Sequence, residues 1–276
     1  MKIAVVGLGL IGGSLAKAIT KYTEHTVIGI DNNPQVLKSA LAAGAIHFAG
    51  NADSLPQADI TILAIYPKQT IAYISEHAAL FKKGSIVTDT CGIKGDICQA
   101  LVPVAEKNSF YFIGGHPMAG KETFGFSSAE AELFKNASCI LTPCGVPQEQ
   151  VDILSSFIRE LSFSRIVITT PQEHDRMIAF TSQIPHALAC AYVLIPECRN
   201  QKGFSAGSFR DVSRVAKINE NLWTDLFLGN RELLCDELGM LIENLEKIKQ
   251  AVASGNAPEI RQILKDGRLV KEALDE

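Results

Sequence analysis

Apolar and polar positions along the chain follow two different rhythms. From residue 2 to about residue 170, short runs rich in β-branched residues alternate with stretches of helical period. The runs at 2–6, 25–30, 60–65, 85–88, 111–113, 138–141 and 165–168 read as strands. Helical spacing occupies 14–21, 34–43, 70–80, 95–105 and 148–161. The run at 60–65 is apolar but for Thr61 and bounded by Asp59 and Pro67, so that strand is predicted to be buried on both faces. Strands of that kind, separated by helices, imply a parallel sheet covered on both sides.

Beyond residue 170 no convincing strand follows. Helical spacing runs over 173–194, 210–216, 221–251 and 260–274. In the third of these Leu226, Leu233, Leu241, Leu245 and Ile248 recur mostly at helical intervals, while Pro196 and the glycines of 203–207 separate the segments. The expected architecture is an α/β domain over 1–170 and an all-α domain over 171–276. The helical part is long and apolar enough to bury a surface against a second copy, so a homodimer is expected.

Composition narrows the class. At 276 residues, 47% apolar and 20% charged, the chain can bury a sizeable core. A net charge of -4 and the lack of a Lys/Arg stripe give no footprint for nucleic acid. The apolar run at 3–10 is too short and glycine-rich for a membrane span or a secretion signal, which points to a cytoplasmic protein. Seven scattered cysteines form no CxxC pair and no metal-spaced cluster, so they are read as reduced, small apolar residues, and no metal is expected.

Chemistry enters at Gly7-Leu8-Gly9-Leu10-Ile11-Gly12, a GxGxxG between a predicted strand and a predicted helix. Gly7 allows the tight turn, Gly9 lets backbone approach a pyrophosphate, and Gly12 lets helix and strand pack closely. Leu10 and Ile11 open the helix whose N–H groups would receive the phosphates. Asp31 ends the second strand, where a carboxylate accepts hydrogen bonds from ribose hydroxyls and repels a 2′-phosphate. Asn32 and Asn33 supply no arginine for that phosphate. The first domain is therefore predicted to be of Rossmann type and to bind NAD rather than NADP. A helix-capping role for Asp31 is compatible with this.

His116 stands in Gly114-Gly115-His116-Pro117-Met118-Ala119-Gly120, directly after the predicted strand 111–113. That is the carboxyl end of a sheet strand, and a histidine there titrates close enough to neutrality to take a proton from an alcohol. The alternative is a histidine hydrogen-bonded within a loop. Arg210 and Arg214 share one helical face and could equally be solvated. His186 lies in an apolar segment, where a satisfied core histidine is the ordinary reading. His174 beside Asp175 has the look of an orienting pair, although its place at a helix start is the simpler reading.

Taken in order, these motifs make the chain resemble the prephenate/arogenate dehydrogenase family of tyrosine biosynthesis. The resemblance covers nearly the whole chain. It rests on the glycine-rich start, Thr88-Asp89 with Lys94, the His-Pro-Met-Ala-Gly loop with Glu122 and Gly125, Leu133-Phe134 and Ile140-Leu141-Thr142-Pro143. It continues through Glu173-His174-Asp175, Ser182-Gln183-Ile184-Pro185-His186 and Phe209-Arg210-Asp211-Val212-Ser213-Arg214. It implies oxidative decarboxylation of a cyclohexadienol, prephenate first and arogenate as its neighbour, with NAD as oxidant. His116 would be the base, Arg214 would hold the ring carboxylate and His186 would face the side chain. Gln183 and Arg210 would lie in the same region, and Thr90 and Gly92 on the cofactor's side.

Two departures from the family pattern bear on the site. Many relatives carry Gly-Ser-Val-Lys where this chain has Cys91-Gly92-Ile93-Lys94, so the serine beside the catalytic histidine is replaced by Gly92. Thr90, the Cys91 thiol, a backbone N–H or water would have to serve instead. Some relatives carry a second histidine where Gln183 stands. No fused mutase or regulatory domain is expected around 1–276. Another small-acid dehydrogenase, or an NAD-binding sensor without turnover, is the competing reading.

Overall fold

The computed structural model describes residues 1–121 and 123–274; Glu122, one of the residues carrying the resemblance, lies outside the described residues. In chain order its elements begin with β1 (Lys2–Val6), α1 (Leu10–Tyr22), β2 (Thr26–Ile30), α2 (Pro34–Ala42), β3 (Phe48–Gly50), β4 (Ile60–Leu63), α3 (Pro67–Glu76), β5 (Ile86–Asp89) and α4 (Gly95–Asn108). There follow β6 (Tyr111–Pro117), β7 (Ser138–Thr142), α5 (Gln148–Glu160) and β8 (Arg165–Ile168). The helices α6 (Pro171–Ile178), α7 (Ile184–Val193), α8 (Gly207–Ser213), α9 (Glu220–Gly229), α10 (Arg231–Ala253) and α11 (Ala257–Leu274) complete it.

The eight strands, among the described residues, form one sheet in the order β3-β2-β1-β4-β5-β6-β7-β8. Its first six positions have the doubly wound order of a Rossmann-type domain. Apolar side chains cover both faces. Leu15, Ile19, Leu154 and Phe157 lie in one core cluster, and Ile74, Ile97, Leu101 and Leu226 in the other.

One pairing departs from the expected parallel sheet: β6 and β7 run antiparallel, with His116 opposite Ile140. The segment between them folds into two short 3-10 turns, Phe126–Ser128 and Ala131–Phe134, rather than a crossover helix. A strand that follows without a crossover helix can return antiparallel. The consequence reaches the site. With β7 as partner, β6 continues to Pro117, so His116 belongs to a strand rather than to the loop expected after residue 113. The three-residue edge strand β3 was not anticipated, since its exposed Phe48-Ala49 carries no β-branched run.

The helical stretch expected over 173–194 is interrupted by a π turn, Ala179–Gln183, just before Pro185. Proline has no N–H to give and crowds the carbonyl four residues back, so the ladder loosens there. At 3.6 residues per turn, the one extra residue rotates the later face by roughly 100°. The stretch expected over 221–251 is likewise two helices. The break at Asn230 follows Gly229, where a Cβ would stand 2.4 Å from Ile93 Cδ1, so α9 reaches the turn after β5 only without a side chain there.

Residues Met1–Asn230 make one compact unit, and Arg231–Glu276 a second. The second contains α10 and α11. Gly255, at φ +65°, closes α10, its N–H donating to Val252 and that of Asn256 to Ala251. Ile242, Leu245, Val252, Leu264 and Val270 are exposed on these helices. No helix among the described residues is long and apolar enough to cross a membrane.

Candidate active site

The carboxyl ends of β2, β1, β4, β5 and β6 lie side by side, and the predicted chemistry is spread along them. At ~4.8 Å per strand, the four intervals span about 19 Å from Asp31 to His116. The first station is the glycine loop. Gly7 adopts φ +85°, and a Cβ on Gly12 would sit 1.8 Å from the Gly7 carbonyl oxygen. Both glycines are therefore required by the protein's own packing. Gly9 is different, because a Cβ there would meet nothing within 4 Å. Its open surroundings leave room for a ligand to approach the backbone.

The N-terminus of α1 behind Gly9 has no side-chain cap and no acidic residue in its first turn, so the N–H groups at Leu10 and Ile11 remain a site for an anion. Asp31 accepts from Leu8 N at 2.8 Å through one oxygen and from Asn33 N at 2.8 Å through the other. The carboxylate thus ties the second strand to the glycine loop and stays half-buried at its rim, with Asn32 exposed beside it. Asn33, rather than Asp31, caps α2, accepting from Gln35 N at 2.9 Å.

The next station is the turn between β5 and α4. Asp89 and Lys94 form an ion pair with no solvent exposure on either side chain. The carboxylate also accepts from Cys91 N at 2.9 Å and from Gly115 N at 3.1 Å, joining this turn to β6. Burial works against the Lys94 charge, but the Asp89 carboxylate outweighs it and holds the ammonium above its ordinary value. Within this turn a Cβ on Gly92 would lie 3.9 Å from His116 Cε1, so position 92 does adjoin the histidine. The space is taken by Leu226, whose Cδ2 is 3.2 Å from that point.

Neither side chain expected to replace the family serine bonds to His116. Thr90 Oγ1 donates to Leu63 O at 3.4 Å, and Cys91 Sγ lies 3.5 Å from Ile65 O and 3.5 Å from Thr70 Oγ1. Burial and the nearby Asp89 push the Cys91 thiol up to about 12, which makes it inert at neutral pH. The polar partner of His116 comes from the opposite side. His174 Nε2 is 2.9 Å from His116 Nδ1, and His174 Nδ1 is 2.7 Å from Asp175 Oδ1. Asp175 in turn accepts from Lys94 N at 2.8 Å and Gly95 N at 2.7 Å. Burial, then the neighbouring His174 and Lys94, hold His116 neutral far below the usual imidazole range. His174 is lowered too, by burial and Lys94 against the opposing pull of Asp175.

Helices α6 and α9, with the π turn that ends at Gln183, roof this station. His174 does lie at a helix start, with Thr170 capping α6 through Glu173 N, and it also reaches His116. The ordinary reading of the His-Asp dipeptide therefore missed a contact between residues 58 apart. A fixed neighbour at Asp175 was the one signal available beforehand. Gln183 is 1% exposed and spends its amide inside the protein, donating to Leu226 O at 3.1 Å and accepting from Asn230 Nδ2 at 2.8 Å. Asn230 Nδ2 also reaches Asp175 O at 2.9 Å. Gln183 and Asn230 thus brace Leu226 over Gly92.

His186 is half-buried and stacked on Trp223, the chain's one tryptophan, with ring centroids 3.7 Å apart, and its Nδ1 lies 2.8 Å from Ser182 O. Trp223 is on the same helix as Leu226, so His186 is joined to the His116 station through α9. Arg210 and Arg214 are exposed, the first in α8 and the second opening the turn Arg214–Ala216 that packs on α7.

Comparison with known proteins places this arrangement. Residues 15–176 match the family model for the nucleotide-binding domain of prephenate dehydrogenase, and residues 170–266 match that for its dimerization domain. The chain is 31% identical to prephenate dehydrogenase of Bacillus subtilis (strain 168), over 99% of its own length and 76% of the relative's. Among solved structures, arogenate dehydrogenase of Synechocystis is 28% identical with a TM-score of 0.84, covering 99% of this chain and 100% of that one. Prephenate dehydrogenase from A. aeolicus, solved with hydroxyphenyl propionate and NAD+, shares the fold at TM-score 0.89 and 24% identity, over 99% and 98% of the two chains. The two family models together span residues 15–266, and this chain is a member of the prephenate dehydrogenase family.

Proposed function

We propose that this protein catalyses NAD-dependent oxidative decarboxylation of a cyclohexadienol acid, with prephenate as substrate and 4-hydroxyphenylpyruvate as product. The observation that carries this reading is His116, neutral and half-buried at the end of the row of strand ends that begins at the glycine loop and Asp31. The open space at Gly9 and the uncapped N-terminus of α1 fit the pyrophosphate of NAD, and the Asp31 carboxylate fits its ribose hydroxyls. NAD, when bound, supplies the hydride acceptor.

The chain's own part is positioning and proton holding. His116 Nε2 accepts the ring hydroxyl's proton as the carbinol becomes a carbonyl. Loss of the ring carboxylate as carbon dioxide then leaves a phenolate, to which the proton returns, so none is consumed overall. Aromatisation drives the reaction, and the protein needs mainly to orient and polarise. Arg214 is assigned to the ring carboxylate, which a guanidinium recognises in a planar, bidentate way. His186, steadied by Trp223, is assigned to the substrate's side chain, with Arg210 one turn from Arg214. Gln183 acts there through Leu226, and Thr90 and Gly92 line the cofactor's end. The helices from residue 171 onward form the substrate and dimerisation part, and a homodimer is expected to show twice the chain mass by light scattering.

NADH formation with prephenate and with arogenate, each with NAD and NADP, tests the reading. Turnover of prephenate with NAD supports it whole. Turnover of arogenate alone keeps the chemistry and moves the preference to the pocket around His186. No turnover with either in folded protein ends it. In the same assay Asp31→Ser is expected to weaken NAD about tenfold, equal to ~1.4 kcal/mol, and to admit NADP. Unchanged discrimination in that variant would remove Asp31 from cofactor choice.

A further inference from the structure

The unexplained feature of the site is the chain of rings behind His116. The carboxylate of Asp175 can only accept, so the Nδ1 of neutral His174 that faces it at 2.7 Å carries a proton. Nε2 of the same ring is then a bare acceptor, and His116 Nδ1, 2.9 Å away, must be the donor. A neutral His116 with its proton on Nδ1 has its lone pair on Nε2. That nitrogen has no protein hydrogen bond among the described residues.

The far end of the chain is held by hydrogen bonds on every side. Asp175 is 4% exposed, and its two oxygens are pinned by the first N–H groups of the Lys94–Gly95 turn. A Cβ on Gly95 would stand 2.9 Å from Asp175 Oδ2, so only glycine lets that carboxylate approach so closely. Asn230 holds the Asp175 carbonyl from α9. The groups facing the two rings are therefore Asp175 from α6, Asp89 from the end of β5 and Lys94 from the turn after it, with the Cys139 thiol on β7 near His116.

We propose that His174 and Asp175 are positioning residues for His116, setting its Nδ1–H tautomer and ring orientation so that Nε2 stays an open proton acceptor. When the substrate proton arrives on Nε2, His116 keeps its Nδ1–H directed at His174, and the positive charge is shared toward the Asp175 carboxylate. No net proton leaves the site. This proposal rests on the reading of His116 as the base, but its first test does not.

Long-range proton–nitrogen correlation of the histidine rings in the unmodified, substrate-free protein is expected to show His116 and His174 both neutral at pH 7 with the proton on Nδ1. A proton on Nε2 of His116 would overturn the proposal whatever the substrate proves to be. If the tautomers are as expected and neither substrate reacts, the functional reading fails alone. In the active enzyme, His174→Phe is expected to lower kcat about 100-fold, in the range of losses seen when a base loses its tautomer-setting partner. KM and NAD affinity should stay within about twofold, and the acid limb of the kcat/KM profile should shift. His174→Gln, which returns an acceptor oxygen near the lost Nε2, should recover part of kcat and the Nδ1–H signal of His116. A folded His174→Phe protein with wild-type kcat and an unmoved acid limb would overturn the proposal.

Discussion

Asparagine at position 116 is expected to lower kcat by about 10²- to 10⁴-fold, the usual contribution of a positioned general base, while NAD affinity stays nearly unchanged. The separation follows from the layout. His116 ends β6, whereas the glycine loop and Asp31 belong to β1 and β2, three and four strand positions away. Removing the imidazole leaves their hydrogen bonds intact. The pH dependence carries the same signature. Burial, His174 and Lys94 all disfavour the imidazolium, so the wild-type acid limb should fall below the ordinary histidine range. His116→Asn should lose that limb together with the rate. Turnover within tenfold of wild type would mean that the substrate hydroxyl gives its proton to another group.

Replacing Lys94 with methionine is expected to have the largest effect on stability. It strands the Asp89 carboxylate, whose side chain has no solvent exposure, with backbone donors but no counter-charge. Breaking one side of such a pair costs about 3–5 kcal/mol, which for a chain of this size lowers Tm by roughly 10 °C. The double variant Asp89→Asn, Lys94→Met removes both charges and should recover at least half of the loss, because the penalty lies in the unpaired ion. Equal Tm values for single and double variants would show that lost packing is responsible instead. The sign with pH is definite. Asp89 holds the folded Lys94 above its ordinary value, so this contribution is complete at neutral pH. It is lost only as pH rises through that raised alkaline value. Lys94→Met also removes a cation that keeps both histidines neutral, so the acid limb of activity should move upward in the same variant.

These expectations rest on features of unequal legibility. The alternation of strands and helices, the glycine loop with its positive φ at Gly7, and Asp31 at the strand end could all be read from residues within a few positions of one another. Period and turn chemistry are local, so local sequence carries them. His116 was visible as a candidate for the same reason, set between glycines and proline. Its surroundings were not. The antiparallel return of β7 turned the expected loop into strand, and that pairing joins residues that no periodicity connects. Gln183 looked like a substrate contact until α9 closed over its amide, and the polar group expected beside Gly92 gave way to Leu226, which fills that space. His174 became a partner of His116 only because the helix carrying it docks on the β5–α4 turn, where two backbone N–H groups wait for Asp175. The amino-acid sequence alone determined which elements form and which residues could do the chemistry, since both depend on near neighbours. Which nitrogen of His116 is free to accept a proton was decided by tertiary structure, because a tautomer answers to whatever ring the fold brings within 2.9 Å.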